Sequence, residues 1–406
     1  MQISVSTPPY VIPTYSLTGD LLAYLKCGLQ YRYQNKGSLP PSKPVQLWFG
    51  EFIHAVMEEA YLRWTQSAAL RRFPWDWLQD IRPIELEIAR LLASRGLRHN
   101  RNVFDDNQIT NNQLIASRRT EAAINTWGAH LFPLIAEAEV RLQGIRSMPL
   151  QGQRRADYYE ISGVADVIGS VQLTRAPRGN LLLNYLYNNP TVQQVIQNLS
   201  GSGYEIILDY KGMRRSGHII SDPNSPNFMQ PNPEWEHYNW QVLTYSWLRG
   251  QQQTSTPVIA GILLFINELE PSQDDMVDLQ RDVQNNATDI MPTGRDLQAV
   301  LSWRRGQPVP PLSTPFRDQR SIRIVTVDQQ AINRSLLAFD DVVEDIELAV
   351  LGEMSGQGII APWEARPSGV PYIAPQERTC TGCDFKHYCP LAVNLGGGYG
   401  QPPYAP

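Results

Sequence analysis

Two apolar runs, each interrupted by a single aspartate, constrain this chain more than any other feature. Ile161-Ser162-Gly163-Val164-Ala165-Asp166-Val167-Ile168 and Ile206-Ile207-Leu208-Asp209-Tyr210-Lys211-Gly212 both have the β-branched and aliphatic content of covered strands. An ionised carboxylate inside such a strand is costly unless it is paired, hydrogen-bonded or bound to a cation. Alternation along an extended strand puts Asp209 and Lys211 on one face, so a carboxylate and an ammonium share one site. Two carboxylates converging from neighbouring strands suit Mg²⁺ or Mn²⁺, hard cations that take oxygen ligands and keep waters for chemistry. Such an ion lowers the pKa of a bound water and offsets charge developing on a phosphate, while a nearby lysine ammonium assists. Asp166, Asp209 and Lys211 are therefore the candidate catalytic set, with the backbone carbonyl of Tyr210 as a further ligand.

Around these runs the pattern is that of an α/β chain with a mixed central sheet flanked by helices, a helical N-terminal region and a C-terminal Cys-rich clamp. Helical spacing of apolar residues predicts helices over 16–34, 49–66, 75–94, 111–130, 236–250 and 329–352. Strands are expected over 134–142, 158–171, 204–210, 258–267 and 322–327, with 173–203 as an insertion on one edge. The Pro/Asn-rich 221–233 and the stretch 271–320 read as lids or linkers of low order. The expected organisation is N-terminal helices to 60, a helical insertion over 61–132, a catalytic core over 133–270, a linker, strand and helix over 271–375, a Cys knot over 376–392 and a disordered tail from 393.

A net charge of -5 argues against a protein that coats duplex DNA over its whole surface, because such binders neutralise many phosphates. A local groove, or a protein partner or second copy that supplies charge, fits better. Arg214 and Arg215 follow Lys211 closely and are expected to leave the strand on the phosphate side, where the guanidinium fork suits the nucleic-acid backbone. Trp235, Tyr238 and Trp240 either stack bases or belong to the core. No run reaches the roughly 20 apolar residues of a membrane span, and residues 1–15 lack the pattern of a secretory signal, so a reducing cytoplasm is expected.

All four cysteines fall in one arrangement, Cys27 alone and then Cys380-x-x-Cys383-x-x-x-x-x-Cys389-Pro390. Four thiolates suit tetrahedral zinc or a [4Fe-4S] cluster, and spacing alone does not separate them. A disulfide scaffold is disfavoured by chain size and compartment.

Read in order, Gly50-Glu51-Phe52-Ile53-His54, Gly163-x-x-Asp166, Asp209-x-Lys211 and Gln241-x-x-x-Tyr245 resemble the motifs of the PD-(D/E)XK nuclease superfamily, and within it the RecB-like exonuclease group. The resemblance implies a restriction-endonuclease-like fold and a metal-dependent deoxyribonuclease acting on DNA, with single-stranded ends or flaps as the expected substrate. It implies that His54 is a metal ligand and that Gln241 and Tyr245 line the site from the helix behind it; the two share one helix face. Glu137 or Glu139 could supply the family's sometimes-present extra acid. The one-plus-three cysteine split is similar to that of the iron-sulfur nucleases of this group, such as the AddB nuclease domain and the CRISPR-adaptation nucleases, although Gly28 stands where proline commonly follows the lone cysteine. It implies a [4Fe-4S] cluster on Cys27, Cys380, Cys383 and Cys389, with zinc as the alternative. A catalytically silent DNA-binding scaffold subunit with the same fold and cluster is the competing reading.

Overall fold

The computed structural model describes residues 12–36, 45–97, 111–152, 154–199, 201–223, 227–252, 256–365, 380, 383–386 and 389–392. The expected tail from 393 lies outside the described residues. The described chain begins with strand β1 (Thr14–Ser16) and two short helices, α1 (Leu22–Lys26) and α2 (Gly28–Tyr31). A continuous helix was expected over 16–34; Cys27 instead breaks out to extended backbone between α1 and α2, at φ -170° and ψ 115°. Three longer helices follow, α3 (Val45–Gln66), α4 (Arg82–Ser94) and α5 (Asn111–Leu131). Strands β2 (Ile135–Ser147) and β3 (Tyr158–Gln172) come next, and the 173–203 insertion folds into α6 (Leu181–Tyr187) and α7 (Pro190–Gln197). Then come β4 (Gly203–Lys211), α8 (Pro233–Gly250) and β5 (Val258–Phe265).

The stretch 271–320, expected to have little order, holds three helices: α9 (Gln273–Gln284), α10 (Gly294–Ser302) and α11 (Thr314–Ser321). A capping box explains the first, since Ser272 Oγ accepts the Asp275 N–H while the Asp275 carboxylate accepts the Ser272 N–H at 2.8 Å. Met276, Leu279 and Val283 on its inner face then pack with Val300, Trp303, Leu312 and Phe316 into a small core. Strand β6 (Ile322–Thr326) and α12 (Gln329–Met354) follow. Among the described residues no helix is long and apolar enough to cross a membrane.

The sheet is mixed: β3–β4, β2–β3 and β5–β6 are antiparallel, β4–β5 and β1–β3 parallel. A parallel pair needs a crossover, and α8 provides it between β4 and β5. One layer of core sets Trp48, Phe52 and Ile53 of α3 against Val167, Ile206, Leu208 and Tyr210. The other sets Ile161, Ala165 and Ile207 against Trp240 of α8 and Phe339 of α12. Cover on both faces explains why β4 reads as a nearly continuous apolar run.

Strand β3 changes partner along its length. With β2 along one edge, its other edge is shared by β1 over Glu160–Ser162 and β4 over Val167–Gln172. Pairing with β4 stops at Val167–Leu208. Asp166 and Asp209 would form the next cross-strand pair, and there the strands splay. Like charges directly opposite each other repel, so the gap is where a cation is most useful.

Candidate metal centre

Asp166 of β3 is 8% exposed, and its Oδ2 accepts the Tyr210 N–H at 2.7 Å across the splay. Helix α3 brings His54 to the same place: its Nδ1 lies 3.4 Å from Asp166 Oδ1, and its ring stands edge-on to Tyr210 at 5.9 Å. Strand β2 adds Glu139. His54, Glu139 and Asp166 each offer one ligand atom within 4.8 Å of the others. The structure thus distinguishes the two acids that spacing leaves open, because Glu137 is held by Arg249 at 2.7 Å. Glu139 sits at φ 49°, a left-handed backbone unusual for a residue with a side chain in a strand. No periodicity in the sequence signals that turn of the backbone.

Asp209 approaches from β4 and is 3% exposed. Lys211 Nζ lies 2.5 Å from its Oδ2 and donates to Gln241 Oε1 at 2.6 Å. Gln241 Nε2 in turn donates to Asp209 Oδ1 at 3.2 Å and to the Tyr245 hydroxyl at 3.4 Å. One face of α8 therefore steadies both charged groups of β4. Tyr245 reaches this position because Gly163 has no side chain: a Cβ there would stand 2.5 Å from the Tyr245 ring. Tyr238, foreseen only as a stacking or core aromatic, presents its ring to the Lys211 ammonium at 5.1 Å.

The acids act on one another. Burial first, then the Asp166 and Glu58 carboxylates, pushes Glu139 up to about 7, with His54 opposing. Burial disfavours charge on His54, yet Asp166, Asp209 and Glu139 outweigh it and raise His54 to about 9. Burial also raises Asp209, with Lys211 pulling the other way. A carboxylate raised in the fold loses stability as pH climbs from its usual 4.5 towards 7. A raised histidine contributes most below 6.5 and loses that contribution as pH passes 9. Without a divalent ion the protein is expected to lose stability from about pH 5 to about pH 9. Mn²⁺ should restore most at the alkaline end, because binding must displace those protons. Thermal melting with and without Mn²⁺ across this range checks it; a gain that shrinks with pH would refute it.

Arg214 and Arg215 do not reach a phosphate-facing surface. Past the end of β4 the chain turns inward onto the acid-rich segment around α9. Arg214 is ion-paired with Asp282 and lies 3.4 Å from Asp278, while Arg215 is buried against Asp289 and its N–H donates to Glu268 at 2.7 Å. Trp240 is buried with its N–H on Ser335 O, and Arg323 stacks on Trp235 at 3.7 Å.

Cys27, Cys380, Cys383 and Cys389 line one cavity, which Tyr33 and Phe385 also line. All four are free thiols. Cys383 is pushed up to about 11, by burial first and then by the sulfurs of Cys27, Cys389 and Cys380. Half-buried thiols that oppose one another's ionisation are the donor set a positively charged metal group relieves.

No curated protein matches the chain. Residues 19–172 match the family model of the PD-(D/E)XK nuclease superfamily. The matched span contains His54, Glu139 and Asp166 and ends with β3, so Asp209 and Lys211 lie beyond it. The mixed sheet flanked by helices is the restriction-endonuclease-like fold of that superfamily, whose members are typically nucleases dependent on Mg²⁺ or Mn²⁺. The chain thus carries, at residues 19–172, a PD-(D/E)XK nuclease superfamily domain.

Proposed function

We propose that this protein is a metal-dependent DNA nuclease of the RecB-like group, acting as an exonuclease on single-stranded ends or flaps in DNA repair, recombination or CRISPR adaptation. The observation that carries the reading is the meeting of His54, Glu139 and Asp166 within 4.8 Å at the point where Asp209 and Lys211 leave β4. These acids and the histidine fit a hard divalent cation, and Asp209 would complete its ligands. When bound, such a cation supplies an acidified water and offsets charge on the scissile phosphate. Lys211 is held by Asp209 and Gln241, so its ammonium can donate to the attacking water or to a phosphate oxygen. Tyr210 fixes the Asp166 carboxylate through its N–H, and Tyr245 fixes Gln241 through its hydroxyl.

A [4Fe-4S] cluster on the four cysteines belongs to the same reading. Tetrahedral zinc, with Zn–S of about 2.3 Å, draws its sulfurs to roughly 3.8 Å of one another. The four cysteines line one cavity that either group could fill, and the one-plus-three split of the cysteines favours the cluster over zinc. The cluster's role is structural, and a protein partner or second copy would supply the positive charge this chain lacks.

The test is digestion of DNA labelled at either end by anaerobically purified protein with Mn²⁺ or Mg²⁺, with single strands, duplexes and RNA compared. Metal-dependent shortening of single-stranded DNA from one end is expected. A folded, brown protein that cuts nothing would replace the enzyme with a scaffold subunit.

A further inference from the structure

Among the described residues, the helices that cover one face of the sheet stop at the metal centre. On β3, Asp166 is buried, whereas Val164 and Tyr158 of the same face are 43% and 51% exposed. On β2 the cross-strand neighbours follow suit: Arg141, paired with Val164, Gln143 and Ile145 are all exposed, while Leu142 and Tyr159 on the opposite face are buried. Among the described residues a largely exposed strip of sheet therefore runs from Glu139 and Asp166 outward along the β2–β3 ribbon, with Ser162 and Glu160 half-buried along it. At about 3.3 Å per residue, Arg141 and Val164 stand roughly 7 Å from the metal-binding pair and Tyr158 roughly 26 Å.

The strip has the composition of a single-strand bed. Tyr158, Ile145 and Val164 give flat or apolar surface on which bases can rest, and Arg141 gives a cation. Among the described residues Arg141 makes no ion pair, although Glu139 lies two residues away on its own strand. Its charge is free for an anion that arrives with the substrate. We propose that single-stranded DNA enters along this face of the β2–β3 ribbon, with Arg141 gripping a backbone phosphate next to the scissile one and Tyr158 stacking a base further out. The inference rests on the nuclease reading. It adds the path and the residues that select a single strand, because stacking on the strip requires unpaired bases.

Both residues are exposed, so their variants leave the core untouched. Binding of a labelled oligothymidylate to the full-length holoprotein is measured in Ca²⁺, which permits association without cutting, and KM and kcat are measured in Mn²⁺. Arg141→Gln is expected to weaken binding about tenfold and to reduce the slope of log affinity against log salt by about 0.7. Tyr158→Ser is expected to weaken binding about tenfold with no change in that slope, since one stacked base is lost. In both, the loss appears in KM far more than in kcat. Arg178→Gln, on the exposed turn after β3, removes the same charge elsewhere and retains full affinity. Unchanged affinity and KM in Arg141→Gln and Tyr158→Ser, beside a wild type that binds and cuts, would overturn the path and leave the nuclease standing. A wild type that neither binds nor cuts would overturn both.

Discussion

Replacing Asp166 by asparagine is expected to lower metal-dependent cleavage by about a thousandfold, roughly 4 kcal/mol of transition-state stabilisation. The substitution is nearly isosteric, and the amide oxygen can still accept the Tyr210 N–H that Asp166 Oδ2 now accepts. What disappears is the charge that faces His54 and Glu139 at the splay between β3 and β4. The variant should therefore fold, because the lost pairing with His54 is offset by weaker repulsion of Glu139 and Asp209 in the metal-free protein. It should also lose most of the rise in melting temperature that Mn²⁺ gives the wild type, since that rise reports binding to the native state alone. A variant that keeps both its Mn²⁺-induced stabilisation and its cleavage would remove Asp166 from the metal centre.

Cys27→Ser is expected to have the largest effect on stability. Joining Cys27 to Cys380, Cys383 and Cys389 closes a loop of roughly 350 residues, and the entropy of closing it in the unfolded chain amounts to about 5 kcal/mol. The whole net stability of a domain is usually about 5 to 15 kcal/mol, so losing this restraint removes a large share of it. The variant should lose the broad absorption near ~400 nm and melt far below the wild type, with β1, α1 and α2 released first. Anaerobic spectra, iron analysis and melting read this directly. A colourless wild type with one equivalent of zinc would replace the cluster with a zinc clamp; a variant that retains iron and melting temperature would exclude Cys27 as a ligand.

The strands around Asp166 and Asp209 were legible because strand-forming runs and a carboxylate amid apolar residues are both local features of sequence. Most long helices were legible for the same reason, with α8 and α12 falling close to their expected bounds. Local pattern gave less where tertiary contact decides. α9 is highly polar, and only its capping box and the i, i+3, i+7 spacing of Met276, Leu279 and Val283 mark it. The turn of β2 that aims Glu139 into the site comes from a backbone conformation no side-chain pattern encodes. Arg214 and Arg215 follow the catalytic lysine in sequence but are claimed by Asp282 and Asp289, some 70 residues away, a pairing only the fold reveals.

The change of partner along β3 also sets which parts of the chain can vary in length. Side chains alternate faces with a period of two, so one residue inserted between Gly163 and Asp166 would send the carboxylate to the opposite side of the sheet and withdraw Gly163 from Tyr245. A deletion there would do the same. Residues 173–202 join β3 to β4 between their last paired residues, Gln172 and Gly203, so the turns flanking α6 and α7 can lengthen or shorten without shifting the register that holds Asp166 opposite Asp209. Insertions and deletions among descendants of this sequence should therefore collect in those turns and be missing from Gly163–Asp166.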